Sequence, residues 1–320
     1  MEKKINVLSL CDGISCARMA LESLGIEIGS YFAAEIKPEA IRVTQENFPS
    51  NIQIGDVTKI HYKNGELSCD KGEFKVKFDL VIFGSPCQSF SRAMKSDRRI
   101  GLLDKSKSGL FFECNRILKE VRPKYFLMEN TIMNSEDRET ISKLLNCEPI
   151  RINSKDYTGA LRDRYYWTNI KVTKLSPRKD ITVNDVIESG YCPYKLARCL
   201  MRNDSHGYYN GGGINPIKRF YRSYYKSFST IIFPSEKYFI NCLSIANNIL
   251  NGRKPRAELF DSYIGHDFDK IRYLSKYERS RFQGIPEKYV NCMTEKEAAD
   301  LIGDGMTVPV IADLLRFMQF

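Results

Sequence analysis

The first 170 residues alternate short strand-like runs with helix-like segments, and that alternation restricts the fold more than any other feature. Residues 78–84 (FDLVIFG) form a continuous apolar run of the kind found in a strand buried on both faces. Residues 5–10 are a short β-branched run that ends at the turn Cys11-Asp12-Gly13. Apolar residues then recur at helical spacing over 15–24, and Gly25 stands where a left-handed helix cap belongs. Residues 31–36 read as a second strand and 38–48 as a helix that Pro38 can start. A helix over 110–121 and a strand over 124–129 (KYFLME) continue the pattern. Strands alternating with crossover helices predict an α/β fold with a doubly wound, mostly parallel sheet.

From 172 to 270 no period of 2 or 3.6 persists, and Gly211-Gly212-Gly213 lies among Tyr, Asn and Arg. Regular patterning resumes at 273–282, and 308–320 (VPVIADLLRFMQF) reads as a closing amphipathic helix. The expected organisation is one α/β domain over 1–171, a smaller irregular basic insertion over 172–270, and a short C-terminal return over 271–320.

Charge bears on the partner. The chain carries 49 Lys and Arg against 39 Asp and Glu, a net +10, which suits a polyanion. Between positions 191 and 228 stand seven Lys/Arg (195, 198, 202, 218, 219, 222, 226), one acid (Asp204) and seven tyrosines. No apolar run approaches the roughly 18 residues of a membrane span, so no membrane association is expected. The N-terminal MEKKINVLSLCDG lacks the long apolar core of a secretory signal, which predicts a cytoplasmic or nucleoid location. None of the 10 cysteines forms a CxxC pair, so reduced thiols are expected. With three histidines and no paired ligand spacing, no metal site is expected.

Open α/β sheets bind ligands at the carboxyl ends of their strands. Asp12, Glu35 and Asp56 stand at or just beyond such ends. An acid after the second strand commonly holds ribose hydroxyls. Each of these acids, taken singly, reads equally as a helix cap or a solvated turn. The glycine pattern is not GxGxxG, which disfavours a dinucleotide and suits a single nucleoside cofactor. Cys87, in Gly84-Ser85-Pro86-Cys87-Gln88-Ser89-Phe90-Ser91, lies at the crevice edge beside helix-starting backbone, with Arg92 and Lys95 nearby. Such a setting makes a nucleophile of a thiol. Glu129-Asn130 ends the neighbouring strand, so the two groups can converge on one bound molecule.

An ordered series of motifs along nearly the whole chain resembles the S-adenosylmethionine-dependent DNA cytosine C5-methyltransferases. VLSLCDGIS (7–15) looks like the cofactor loop, Glu35 the ribose acid and Gly55-Asp56-Val57 the adenine turn. GSPCQSFS (84–91) resembles the Pro-Cys nucleophile loop, and the segment 108–131 the helix and strand that lead to Glu-Asn. Residues 161–165 (LRDRY) resemble the Arg-x-Arg element, and 226–231 and 273–286 the elements after target recognition. Residues 303–309 (GDGMTVP) stand where the last cofactor element belongs. DGIS, SPC and VPVI lean toward the mammalian de novo branch and related microbial and viral enzymes.

The resemblance implies a Rossmann-like methyltransferase fold, with Cys87, Glu129, Arg162 and Arg164 as catalytic residues. It implies that Asp12, Gly13, Ile14, Glu35, Ile36, Asp56, Val57, Pro86, Asp304, Gly305 and Met306 bind S-adenosylmethionine. Cys87 would add to cytosine C6, Glu129 would hold the protonated N3 edge, Arg164 would bind O2 and Arg162 would support the site. A stacked base cannot offer these faces, so the target must be flipped out of double-stranded DNA. The basic, tyrosine-rich stretch then becomes the target-recognition region, and 92–107, with six Lys/Arg and two Asp, a lid over the flipped base. A single subunit holds every element; the de novo branch admits an oligomer, and a separate restriction endonuclease is a possible partner. An RNA cytosine methyltransferase and a catalytically weak DNA-binding relative are the rival readings, although the Cys-Phe-Thr signature of the transfer-RNA-specific relatives is absent. Three positions depart from the family pattern: Cys11 replaces an adenine-stacking Phe, Thr131 a Val and Asp304 an Asn.

Overall fold

A computed structural model describes residues 4–90, 100–178, 180–200 and 216–319. The chain divides into two compact units. The first takes in residues 1–153, 163–176 and 305–320; the second takes in 154–162 and 177–304.

The first unit is built on strands β1 (Ile5–Leu10), β2 (Ile28–Ala34), β3 (Ile52–Gln53) and, beyond a meander, β7 (Leu80–Phe83), β8 (Tyr125–Thr131), β9 (Ile150–Asn153) and β10 (Asp163–Thr168). They form one seven-stranded sheet in the order β3-β2-β1-β7-β8-β10-β9. The pairings are parallel from β3 through β8, and β10 runs antiparallel to both β8 and β9. The mostly parallel α/β sheet is the one the alternation predicts. Every residue of β7 is buried, as its unbroken apolar run requires. The meander β4 (His61–Lys63), β5 (Glu66–Cys69) and β6 (Gly72–Lys75) covers part of one sheet face. On that face Leu8, Phe32, Val81, Phe83, Met128 and Trp167 meet α3 (Phe111–Val121) and α4 (Ser135–Leu145) in one core. Helix α1 (Cys16–Ser23) packs against the closing helix Val308–Leu315, and α2 (Pro38–Asn47) follows β2.

Two expectations shift. The second strand ends at Ala34 rather than at 36, because the Glu35 side chain turns back to cap its own following amides. The stretch 172–270 also contains regular structure, including the 15-residue helix Glu236–Leu250. This helix buries Phe239, Cys242, Ala246 and Leu250 while Ile240 stays exposed, so apolar residues on two faces hide its period.

In the second unit, Phe220, Tyr221, Phe233, Phe239, Phe260 and Phe268 form an aromatic core. A two-stranded ribbon pairs β11 (Ile231–Ile232) with β12 (Arg272–Tyr273). No described helix is long and apolar enough to cross a membrane.

Candidate active site

The order β2-β1-β7 places a topological switch beside β1, since the chain leaves β1 for one neighbour and later returns on the other side. In open α/β sheets a ligand crevice lies at the carboxyl ends beside such a switch. After β1, Cys11, Gly13 and Ser15 all take left-handed backbone angles (φ 53, 60 and 56°). Two of these are not glycines, a strain that persists where surrounding bonds over-determine the turn. Here those bonds are visible. The Glu35 carboxylate accepts Gly13 N–H at 2.8 Å, Ile36 N–H at 2.8 Å and Lys37 N–H at 2.9 Å, which ties the β1 loop to the end of β2. Beside it Ile36 is 65% exposed, an apolar surface at the crevice mouth.

Asp12 faces inward. Its carboxylate accepts from Ser15 Oγ at 2.5 Å and from Tyr31 OH at 2.7 Å. Burial raises the Asp12 pKa, and nearby Glu35 adds to this, against the lowering effect of the Ser15, Ser9 and Tyr31 bonds. The Tyr31 hydroxyl is pushed well above its ordinary value by burial and by Asp12. The side chain of Asp12 thus braces the loop, and Ile14, fully buried, offers a ligand only its backbone. Asp56 accepts from both Thr58 N and Thr58 Oγ1 at 2.9 Å and so caps the turn Val57–Lys59, whose Val57 is buried. Cys11 is half-buried against the core. Its hydrogen bond with Cys114, followed by burial, holds the Cys114 thiol well above the ordinary range.

At the ends of β7 and β8 the second set of groups converges. Asn130, wholly buried, donates from Nδ2 to Ser85 O and Ser85 Oγ, both at 3.0 Å, and accepts Thr131 N–H at 2.8 Å. Two residues on from Ser85, the thiol of Cys87 is partly exposed. Beyond it, Ser89 Oγ donates to Asp104 Oδ2 at 2.6 Å, and Ser89 N to Ser108 Oγ at 3.2 Å. Bonds from Ser89 and Ser106 hold the Asp104 carboxyl below its usual range. The expected helix start after Cys87 is a turn through Phe90, whose N–H reaches Cys87 O at 3.0 Å. Arg92, Lys95 and the rest of 92–99, the first half of the expected lid, lie outside the described residues.

Strand alternation sets Glu129 and Thr131 on one face of β8, and the antiparallel register places Tyr166 and Arg164 opposite them on β10. The diagonal pair closes. Arg164 Nε lies 3.1 Å from Glu129 Oε1, with both side chains nearly buried. Arg164 Nη1 also donates to Asp163 O at 2.8 Å. A β-carbon on Gly84 would sit 3.0 Å from Met306 Cε and 3.5 Å from Glu129 Oε2. Glycine at this position lets Met306 and Glu129 pack close against the end of β7.

Two expected site residues stand in the second unit. Arg162 is buried and donates to Gly303 O at 3.1 Å, and Asp304 is exposed at the end of helix Glu295–Asp304. Gly305 is buried in the first unit. Many cations of the tyrosine-rich stretch are built into the second unit. Arg198 lies over Tyr194 at 4.6 Å and Arg222 over Phe228 at 4.5 Å, and Lys218 pairs with Asp261 at 2.7 Å. Sequence reading missed Asn130 and Ser85 as a brace and Tyr31 as the partner of Asp12. The apposition of Ser85 and Asn130 at neighbouring strand ends was the available signal.

Comparison with known proteins agrees with the motif series. Residues 5–148 match the family described as C-5 cytosine-specific DNA methylase. The type II methyltransferase M.NlaIV of Neisseria lactamica is 35% identical over 132 residues, 40% of this chain and 28% of that protein. The chain thus spans under a third of that relative's length. M.HpaII of Haemophilus parainfluenzae is 25% identical over 347 residues, which covers 97% of this chain and 88% of the relative. A mutant DNMT2 from Spodoptera frugiperda shares the fold at a TM-score of 0.61 and 20% identity, covering 98% of this chain and 99% of that one.

Proposed function

We propose that this chain, which carries a C-5 cytosine-specific DNA methylase domain over residues 5–148, methylates C5 of a flipped-out cytosine in double-stranded DNA through a covalent bond from Cys87. The observation that carries the reading is the convergence at adjacent strand ends. Cys87 sits on a loop braced by Asn130, and Glu129 is held by Arg164 one strand away.

The β1–β2 crevice fits S-adenosylmethionine. A carboxylate has about four acceptor sites, and three N–H groups reach Glu35, which leaves capacity for a ribose hydroxyl. A β-carbon on Gly13 would meet nothing within 4 Å, so the loop backbone is open to a ligand. Ile36 would carry the adenine face, the Asp56–Val57 turn its edge, and the Gly13–Ile14 backbone, Pro86, Gly305 and Met306 the remainder. When bound, the cofactor supplies an electrophilic methyl group on a sulfonium.

Cytosine C5 is a poor nucleophile until the ring is dearomatised. The Cys87 thiolate forms a bond to C6, and the displaced ring electrons move toward N3, which takes up a proton and is held in that protonated form by Glu129. Arg164 keeps Glu129 oriented and presents cationic N–H groups to the electron-rich O2 edge. C5, now an enamine carbon, would accept the methyl group that the bound cofactor supplies. Loss of the C5 proton to solvent, with release of the proton taken up at N3, then restores the double bond and expels Cys87 as thiolate. Asp304 and Arg162 belong to this reading through their motifs, Arg162 by fixing the turn before Asp304. DNA held by the second unit, action in the compartment that contains that DNA, a single-subunit enzyme and a companion endonuclease complete the proposal. The type II names of the curated relatives support the last.

The test is methylation-sensitive sequencing of DNA from cells that lack cytosine methylation, expressing the chain or its Cys87→Ser variant. Methylcytosine in one short context, absent with the variant, is the expected result. Unmodified DNA with folded, expressed protein contradicts the reading, and methylcytosine found in RNA alone would transfer the chemistry to RNA.

A further inference from the structure

Away from the strand-end crevice, helix α3 and the meander of the first unit border a second groove of about 600 Å³, within the usual range of ligand sites. One face of α3 supplies Phe112, Asn115, Arg116 and Lys119, at the i, i+3, i+4 and i+7 spacing of a single stripe. The meander supplies Tyr62 and Lys63 across from it. Such a stripe, facing a neighbouring element, would ordinarily be apolar.

It holds instead a buried amide. Asn115 is 6% exposed, and its Oδ1 has no hydrogen-bond partner among the described residues. A buried polar atom of this kind calls for an explanation, and a ligand donor is one. Beside it Phe112 is 45% exposed, its ring fixed edge-on to buried Phe111 at 5.5 Å. The charges around the groove do not cancel. Glu120 is neutralised by Arg116 at 2.7 Å and by Tyr62 N–H at 2.9 Å, and Arg116 is further engaged by Glu113 and Ile60 O. Lys63, Lys119 and Arg122 then rim the groove with no carboxylate partner among the described residues.

We infer that this groove binds a nucleotide. Its ring stacks on Phe112, its base edge donates to Asn115 Oδ1, and its phosphate meets Lys63, Lys119 and Arg122. Aromatic surface beside unpaired cations is the combination that holds nucleotides with sequence tolerance. The inference stands apart from the methyltransferase reading, since the two sites share no residue.

Binding is measured by calorimetry on the full chain with S-adenosylhomocysteine in excess, which occupies the strand-end crevice. The probes are adenosine 5′-monophosphate, adenosine, inorganic phosphate and a 5′-phosphorylated single-stranded oligonucleotide. Adenosine 5′-monophosphate is expected to bind more tightly than adenosine or phosphate alone. Phe112→Ala, Asn115→Leu and Lys119→Glu should each weaken it by about tenfold, with thermal melts showing that the variants fold. An oligonucleotide that binds more tightly than the monophosphate, with a salt dependence reduced in Lys119→Glu, identifies a nucleic-acid strand as the source; the reverse order identifies a free nucleotide. Absence of nucleotide binding, or binding indifferent to all three variants, overturns the inference. Methylation by the same preparations, read in parallel, reports on the active site separately.

Discussion

Glu129 and Arg164 hold each other across two antiparallel strands, and neither position can be emptied without leaving a nearly buried charge behind. In the proposed reaction, Glu129→Gln keeps the shape but loses the carboxylate that would hold the protonated ring. Its single-turnover methylation rate should fall by about 10²–10⁴-fold, the usual worth of a positioned general acid. An unchanged rate would remove Glu129 from the chemistry. Asn130→Ala tests a different role, because Asn130 touches the loop of Cys87 through Ser85. Loss of those buried bonds should cost about 1–3 kcal/mol in stability. It should also lower kcat while the KM for cofactor stays constant; a rise in that KM alone would contradict a positioning role at the nucleophile loop. Cys87, Glu129 and Arg164 could be singled out in the sequence because each sits in a local motif. The Asn130–Ser85 brace was not, since its partners stand 45 residues apart and meet only through strand order. Asp12 shows the opposite case. Its position was legible, but the inward turn of its carboxylate depends on Tyr31, one strand away.

At the level of elements, continuous apolar runs marked the central strands, because burial on both faces leaves a signature that needs no partner to interpret. Helix Glu236–Leu250 escaped because its apolar residues occupy more than one face, as a helix inside an aromatic core permits. The meander between β3 and β7 was missed as well; its strands are three or four residues long, too short to show a period. The helix Lys276–Gln283 gives a sharper prediction. Glu278, fully buried, receives Arg272 at 2.7 and 2.8 Å, Ser275 N–H at 2.8 Å and Glu188 N–H at 2.9 Å. Burial alone would raise its pKa, yet these bonds outweigh burial and hold it below the ordinary 4.5. Its stabilising contribution is therefore complete above that ordinary value and disappears as pH falls through the lowered one. Glu278→Gln should destabilise the protein by about 1–3 kcal/mol near neutrality, since Arg272, partly exposed, keeps Tyr273 O and Ser189 O while a backbone N–H of the pocket loses its acceptor. The variant should also flatten the acid limb of the thermal-melting profile. Equal acid sensitivity in both proteins would assign the pH dependence elsewhere.

Over the whole molecule, the net charge of +10 and the cations at 191–228 suggested a polyanionic partner, but composition does not say which of those cations are available. Arg198 and Arg222 lie over aromatic rings and Lys218 is paired, so phosphate contact falls to a smaller set than the raw count implies. Binding to duplex DNA should still weaken linearly with log salt, with a slope of about −0.9 for each phosphate neutralised. A slope near zero would contradict DNA recognition by a basic surface. The most direct test of the central claim is covalent trapping. A duplex with 5-fluorocytosine at the methylated position can accept Cys87 and the methyl group but has no C5 proton to lose, so the adduct cannot resolve. With S-adenosylmethionine present, the chain should form a protein–DNA complex that survives denaturing electrophoresis and maps to Cys87, while Cys87→Ser should form none. A complex that persists in Cys87→Ser, or no complex from a protein that methylates the ordinary duplex, would contradict the account.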